Sequence, residues 1–204
     1  SWIVDNPMRQ RQVPLILDRI SIQPGERVLE LGPGPGAFTL DAARRTGEKG
    51  SIVAIDIQPQ MIAKVELRAY HAGVENVETH VASAYDLPLP DASIDRAFLV
   101  TVLAEIPDQG RALQEVKRVL KPGATLSVTE QFPDPDYPFA FETIRRVEAE
   151  GFRLVRHFGN AWNYTLNFEK VAAPEPGILD VVACPHCHAR LVYQAEKASL
   201  FCAA

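Results

Sequence analysis

The stretch Arg27–Ala37, RVLELGPGPGA, constrains this chain more than any other. Its apolar residues Val28, Leu29 and Leu31 read as a buried strand, and three glycines, Gly32, Gly34 and Gly36, then break it. The following AFTLDAARRTG sets Phe38, Leu40, Ala42 and Ala43 at helical spacing. A strand, a glycine turn and a helix bring backbone N–H groups and a helix N-terminus up to a bound ligand. Glycine is needed there because a side chain would hold the ligand off. Gly32-x-Gly34-x-x-Ala37 also satisfies the dinucleotide pattern, so a nicotinamide cofactor stays open on this stretch alone. SIVAI, residues 51–55, is a second β-branched strand with Asp56 at its end, twenty residues after Gly36. A carboxylate at that spacing can accept both hydroxyls of an adenosine ribose, or it can cap the helix that begins near Pro59.

Four ordered stretches then narrow the choice. ELGPGPG resembles motif I of the class I S-adenosylmethionine-dependent methyltransferases, an acid ahead of G-x-G-x-G. IDIQPQMIAKV is similar to that family's second-strand block, with an acid, an apolar residue and a helix carrying Met61. ASAYDLPLPDASIDRAFLV resembles its adenine-side loop and fourth strand, and LQEVKRVLKPGATLSV its next helix, turn and fifth strand. The resemblance covers about Gly25 to Glu130 and is nearest in flavour to the ubiquinone and menaquinone C-methyltransferases. It implies a Rossmann-like α/β fold: a seven-stranded, mostly parallel sheet with its last strand antiparallel and helices on both faces. It also implies that Glu30, Gly32, Pro33, Gly34, Gly36, Asp56, Ile57, Met61, Ser83, Ala84, Tyr85 and Thr101 contact S-adenosylmethionine. Ser83 departs from the family, which commonly has an aspartate there to accept from the adenine amino group; a hydroxyl accepts without charge and more weakly.

The chain has 204 residues, enough for one full domain and a small appendage. A net charge of −5 argues against a broad nucleic-acid surface. No apolar run approaches the roughly 20 residues that cross a bilayer, and no signal peptide is visible. Three cysteines, two of them in CPHC, fit a reducing, cytoplasmic setting and metal ligation rather than a disulfide scaffold.

The expected organisation is a helical cap over 1–24, a donor-binding domain over 25–171, a linker AAPEPG over 172–177, and a second module over 178–204. In the cap, Met8 to Ile20 reads as a helix with Pro14 inside it; by resemblance it covers the cofactor, with Asn6, Arg9 and Arg11 as substrate-facing candidates. QFPDPDYPF follows the fifth strand and reads as a stiff lid. Phe152–Phe158 and Tyr164–Val171 read as the closing hairpin, joined by GNAWN. The last module resembles the zinc-ribbon domain of the YcaR-like and Trm-type methyltransferase activators. Cys184, Cys187 and Cys202 are then its zinc ligands, with His186, His188 or water as a fourth.

The expected reaction is methyl transfer to a small-molecule acceptor. An RNA or protein acceptor and a non-catalytic scaffold are the alternatives. A sulfonium donor is already activated, so the protein must chiefly align the acceptor and exclude water. Glu105, Asp134, Tyr137 and Tyr164 are all plausible bases, and the sequence singles out none of them as catalytic.

Overall fold

The structure is a computed structural model that describes residues 7–134, 136–171, 191–194 and 199–202. The chain divides into two compact units, Ser1–Lys170 and Val171–Ala204. In the first, α1 (Pro7–Ile20) leads into β1 (Arg27–Leu31), α2 (Thr39–Thr46), β2 (Ser51–Asp56), α3 (Pro59–Ala72) and β3 (Val77–Val81). Then come β4 (Ile94–Val100), a single 3-10 turn (Leu103–Glu105), α4 (Gln109–Val119), β5 (Leu120–Gln131), α5 (Ala140–Ala149), β6 (Phe152–Asn160) and β7 (Asn163–Lys170). In the second, β8 (Leu191–Gln194) and β9 (Ser199–Cys202) form an antiparallel pair.

The seven strands lie in the order β3-β2-β1-β4-β5-β7-β6. The first five are parallel, and β7 runs antiparallel between β5 and β6. This is the sheet the resemblance implies. Successive residues of a strand face opposite sides. Val28, Ile52 and Phe98 therefore pack under α1, α2 and α3 with Val13, Ile16 and Leu17. Leu29, Val53, Leu99 and Leu126 pack on the other face with Leu113 and Val116 of α4 and Val147 of α5. Near-continuous apolar runs in β1, β2 and β4 follow from burial on both faces.

Two boundaries differ from the sequence reading. Lys121-Pro122-Gly123, expected to end a helix, belongs to β5, which runs back to Leu120. The register jumps from Ile94–Leu120 to Arg96–Thr125, so these residues bulge out of the ladder, helped by Gly123 at φ +73°. The closing hairpin is tighter than GNAWN suggested: β6 reaches Asn160, and only Ala161 and Trp162 join it to β7. The leading helix α1 packs its apolar face on the sheet. Val13, Ile16, Leu17 and Ile20 are buried in the core, and Asn167 of β7 donates to the Arg19 carbonyl at 2.8 Å.

Strand order reverses between β1 and β4: the chain winds outward from β1 through β2 and β3, then returns to start β4 beside β1. In open α/β sheets a ligand crevice forms at the carboxyl ends of the strands at such a switch point. Residues 184, 187, 186 and 188 of the expected zinc module lie outside the described residues. Cys202 is the last residue of β9. No cluster of three or more His, Cys, Asp or Glu able to hold a metal occurs among the described residues.

Candidate active site

A cavity of about 1110 Å³ opens at the switch point. Its donor side is built from the ends of β1 and β2. Gly32 continues the sheet, donating to the Ile55 carbonyl at 2.8 Å, with φ +72°. A Cβ there would come within 2.6 Å of Val102 Cγ2, so only glycine lets the β1 and β4 ends meet. Gly34 has φ +54°, and a Cβ on it would meet nothing within 4 Å. It is the cradle position, with open cavity where a side chain would stand. Gly36 does not line the cavity; a Cβ on it would lie 3.2 Å from Val65 Cγ2, so its smallness serves the packing of α3 against the turn.

Asp56 ends β2, 9% exposed, and holds the loop together. One carboxylate oxygen accepts from the Gly34 N–H at 3.2 Å and the other from the Gln58 N–H at 2.9 Å. It does not cap α3, whose N-cap is Gln58. Ile57 and Met61 line the cavity beside it. Ser83, Ala84 and Tyr85 line the far wall. The Ser83 hydroxyl already accepts from the Tyr85 N–H at 3.2 Å, which leaves its proton to offer to a ligand. The Tyr85 hydroxyl accepts from the Asp108 N–H at 2.9 Å, and Arg111 sits 5.0 Å from its ring centroid. Thr101, at the end of β4, takes φ +53°, a left-handed conformation rare for a β-branched residue. Its N–H donates to the Thr129 carbonyl at 2.8 Å, which holds that conformation in place.

Glu30 lines the floor, 3% exposed, in the middle of the sheet. Burial pushes its carboxyl up to about 7; nearby Thr39 partly offsets this and the Asp56 charge adds to it. Neither Glu30 Oε2 nor Thr39 Oγ1 has a hydrogen-bond partner among the described residues. An unpartnered buried acid facing an open cavity suits a ligand that brings a hydrogen-bond donor or a positive charge. S-adenosylmethionine carries both. The cradle at Gly34 and the floor at Glu30 therefore fit that donor.

The acceptor side comes from the ends of β4, β5 and β7. Glu105 lines it from the 3-10 turn, and Asp134 and Phe132 from the loop after β5. Burial first, then Asp134, Asp136 and Asp56, raise the Glu105 carboxyl above its ordinary range. Three contributors were not anticipated from sequence. Gln12 of α1 accepts from Gln131 Nε2 at 2.9 Å, and both line the cavity. Asn163 lines it from β7 and accepts from Arg19 at 3.0 Å. Glu130, paired with Tyr164 across β5 and β7, is 1% exposed with Oε1 unpartnered. Burial, Asp134 and Glu105 push its carboxyl up to about 8.

Of the other candidates, Tyr164 is core: fully buried, with its hydroxyl donating to the Pro138 carbonyl at 2.9 Å and 2.8 Å from Thr143 Oγ1. Tyr137 donates to the Ala161 carbonyl at 2.6 Å and ties the loop after β5 to the hairpin. Arg11 is exposed and does not line the cavity. Asn6 and the side chain of Arg9 lie outside the described residues.

Residues 22–157 match the family described as "Methyltransferase domain". The chain belongs to that family. Its ubiquinone/menaquinone biosynthesis C-methyltransferase relative from Vibrio vulnificus is 35% identical over 145 residues, covering 70% of this chain and 54% of that protein. An arsenite methyltransferase from Halobacterium salinarum is 30% identical over 118 residues, 58% of this chain and 30% of the other. The chain thus spans about half the length, or less, of these curated relatives. Among solved structures, a SAM-dependent methyltransferase from Aquifex aeolicus superposes with a TM-score of 0.77 at 26% identity, over 82% of this chain and 95% of the other. The sheet order, the glycine cradle and these likenesses all belong to a class I S-adenosylmethionine-dependent methyltransferase domain.

Proposed function

We propose that this protein transfers a methyl group from S-adenosylmethionine to a small-molecule acceptor. The observation that carries this is the single cavity wall shared by two halves: a glycine cradle with Asp56 and Glu30 on one side, and an amide-, acid- and aromatic-lined recess on the other. The donor supplies an activated methyl on a sulfonium. The chain's own part is to hold it and to exclude water from the recess: Gly34 and Asp56 position the donor loop, Glu30 faces the donor's charge, and the Thr101 backbone sets the β4 end beside it. No lysine, arginine or histidine is among the described cavity-lining residues, which favours a small molecule over a nucleic acid.

A second reading, C-methylation of a quinone-type ring, has the Vibrio relatives in its favour. A structural zinc at Cys184, Cys187 and Cys202 rests on the spacing of the thiols and on the resemblance of that module to the zinc-ribbon activators. Metal analysis of the purified chain tests it; absence of zinc removes it. Calorimetric titration with S-adenosylhomocysteine, with NADH as control, tests the main reading. Binding of the sulfur nucleoside alone is expected, and a folded sample that binds NADH instead would overturn it.

A further inference from the structure

The acceptor side of the cavity is lined by acids and by no base among the described residues. Its charged residues are Glu105 and Asp134, both lining the cavity with no cation opposite them among the described lining residues. Behind them stands Glu130, the residue before the cavity-lining Gln131–Asp134 segment. It is 1% exposed, and its Oε1 has no hydrogen-bond partner among the described residues. Its strongest charged neighbours are Asp134 and Glu105, the two cavity acids, so all three carboxyls share one field. No salt bridge joins any of them to a base among the described residues, whereas acids elsewhere in the fold, such as Glu26, Glu115 and Asp95, have one. Like charge of this kind disfavours ionisation, and a ligand that brings positive charge relieves it.

The rim is aromatic. Phe132 lines the cavity, 56% exposed, and its ring centroid lies 5.1 Å from Trp162 and 6.2 Å from Tyr137. The planes of Trp162 and Tyr137 cross it steeply, at 63° and 90°, and more than half of the Phe132 side chain stays open to solvent. An exposed ring beside a carboxylate pair attracts an organic cation by its face and by charge together.

We propose that the acceptor is an amine, bound as its ammonium ion between Phe132 and the Glu105–Asp134 pair, and methylated on nitrogen. This rests on the methyl-transfer reading above. The ammonium gives one proton to the Glu105 carboxylate, which is exposed and can return it to solvent. The freed nitrogen lone pair forms the N–C bond to the methyl. The C–S bond breaks and its electron pair stays on sulfur. Positive charge thereby moves from sulfur to nitrogen, toward the carboxylates, which stabilise it as it arrives. A phenolate or enolate acceptor would instead bring a negative charge into the same field and meet repulsion.

The test uses three probes of nearly one shape: benzylamine, benzyl alcohol and benzoate, cation, neutral and anion at neutral pH. Each is titrated by NMR or calorimetry into the full chain saturated with S-adenosylhomocysteine. Benzylamine is expected to bind at least about tenfold more tightly than benzyl alcohol, with benzoate weakest. The double variant Glu105→Gln, Asp134→Asn should lose that order while still binding S-adenosylhomocysteine, which also reports that it is folded. With S-adenosylmethionine, benzylamine should gain one methyl by mass spectrometry. Wild-type chain that binds S-adenosylhomocysteine but takes benzoate or benzyl alcohol as well as benzylamine overturns this inference and leaves the methyl-transfer reading standing. Wild-type chain that binds no S-adenosylhomocysteine overturns both.

Discussion

The two sides of the cavity are built from different material. The donor side is backbone: left-handed glycines, a carboxylate whose two oxygens are occupied by N–H groups, and strand ends that nearly touch. The acceptor side is side chains: Glu105, Glu130, Asp134, Gln12, Gln131, Asn163 and Phe132, drawn from α1, β5, β7 and two loops. Backbone geometry tolerates few sequences, so it fixes one ligand. Side chains on loops can be exchanged without moving the sheet, so they set which partner the ligand meets. Substitutions on the two sides should therefore fail in different ways.

The largest effect is expected at Gly32. In Gly32→Ala the new Cβ meets Val102 Cγ2 at 2.6 Å and Cγ1 at 2.7 Å on a backbone with φ +72°. Overpacking costs about 1–3 kcal/mol, and the left-handed conformation adds roughly 1 kcal/mol. A fall in Tm of roughly 5–10 °C is expected, together with loss of S-adenosylhomocysteine binding. Adding Val102→Ala removes the atoms that are struck and should restore part of the stability, since contacting residues couple. By contrast, Glu105→Gln should leave S-adenosylhomocysteine affinity within about twofold. Equal loss of donor binding in Gly32→Ala and Glu105→Gln would erase the distinction between the sides.

The next effect is in pH. Glu30 and Glu130 each sit above the ordinary carboxylate value of 4.5, at about 7 and about 8. Between 4.5 and those values the folded chain holds protons that the unfolded chain has released. Stability is then full below about 4.5 and falls as pH rises through 7 and 8. Glu30→Gln and Glu130→Gln keep the shape and remove the titration, so each should flatten part of the slope and stabilise the fold at pH 8 by about 3–4 kcal/mol at most. S-adenosylhomocysteine should separate them. On the proposed reading its ammonium would answer Glu30 on the donor side, so the Glu30 part of the slope should shrink when it binds and the Glu130 part persist. Thermal melts of both variants across pH 5–9, with and without the ligand, check this; melts independent of pH would contradict the buried charges on both sides.

The donor side was legible because local pattern carries it. Glycine spacing, a strand of continuous apolar residues and an acid twenty positions on are all short-range signals. Ser83, Tyr85 and Thr101 came with the resemblance, but the left-handed backbone of Thr101 did not, because only its pairing with Thr129 enforces it. The acceptor side was illegible for the opposite reason. Gln12 meets Gln131, and Arg19 meets Asn163, across more than a hundred residues, and no spacing encodes such pairs. Glu130 left one trace: it continues the inward face of Leu126 and Val128, where a strand buried on both sides should have another apolar residue. An acid at that register is expensive unless something answers it, and that was the signal to follow. Likewise Tyr164 could be placed in the core only once β7 was seen to lie between β5 and β6.

The smallest effect sharpens the acceptor side alone. Phe132 is more than half exposed, and its N–H donates to the Trp162 carbonyl at 2.8 Å, a bond that a side-chain change leaves intact. Phe132→Leu keeps an apolar group of similar reach but deletes the ring face. Stability should change by no more than about 0.5 kcal/mol, as for most exposed positions. Affinity for S-adenosylhomocysteine should not change, because the ring lies on the other side of the cavity from Gly34 and Asp56. An exposed cation–π contact contributes about 0.5–1 kcal/mol, so benzylamine should bind roughly two- to fivefold more weakly. Benzyl alcohol has no charge for the ring to attract and should lose less. If both probes weaken equally, Phe132 supplies contact area only, and recognition of the cation falls to Glu105 and Asp134. If neither weakens, the acceptor does not reach the rim, and the aromatic cluster from Phe132 to Tyr137 serves to hold the loop after β5 against the hairpin.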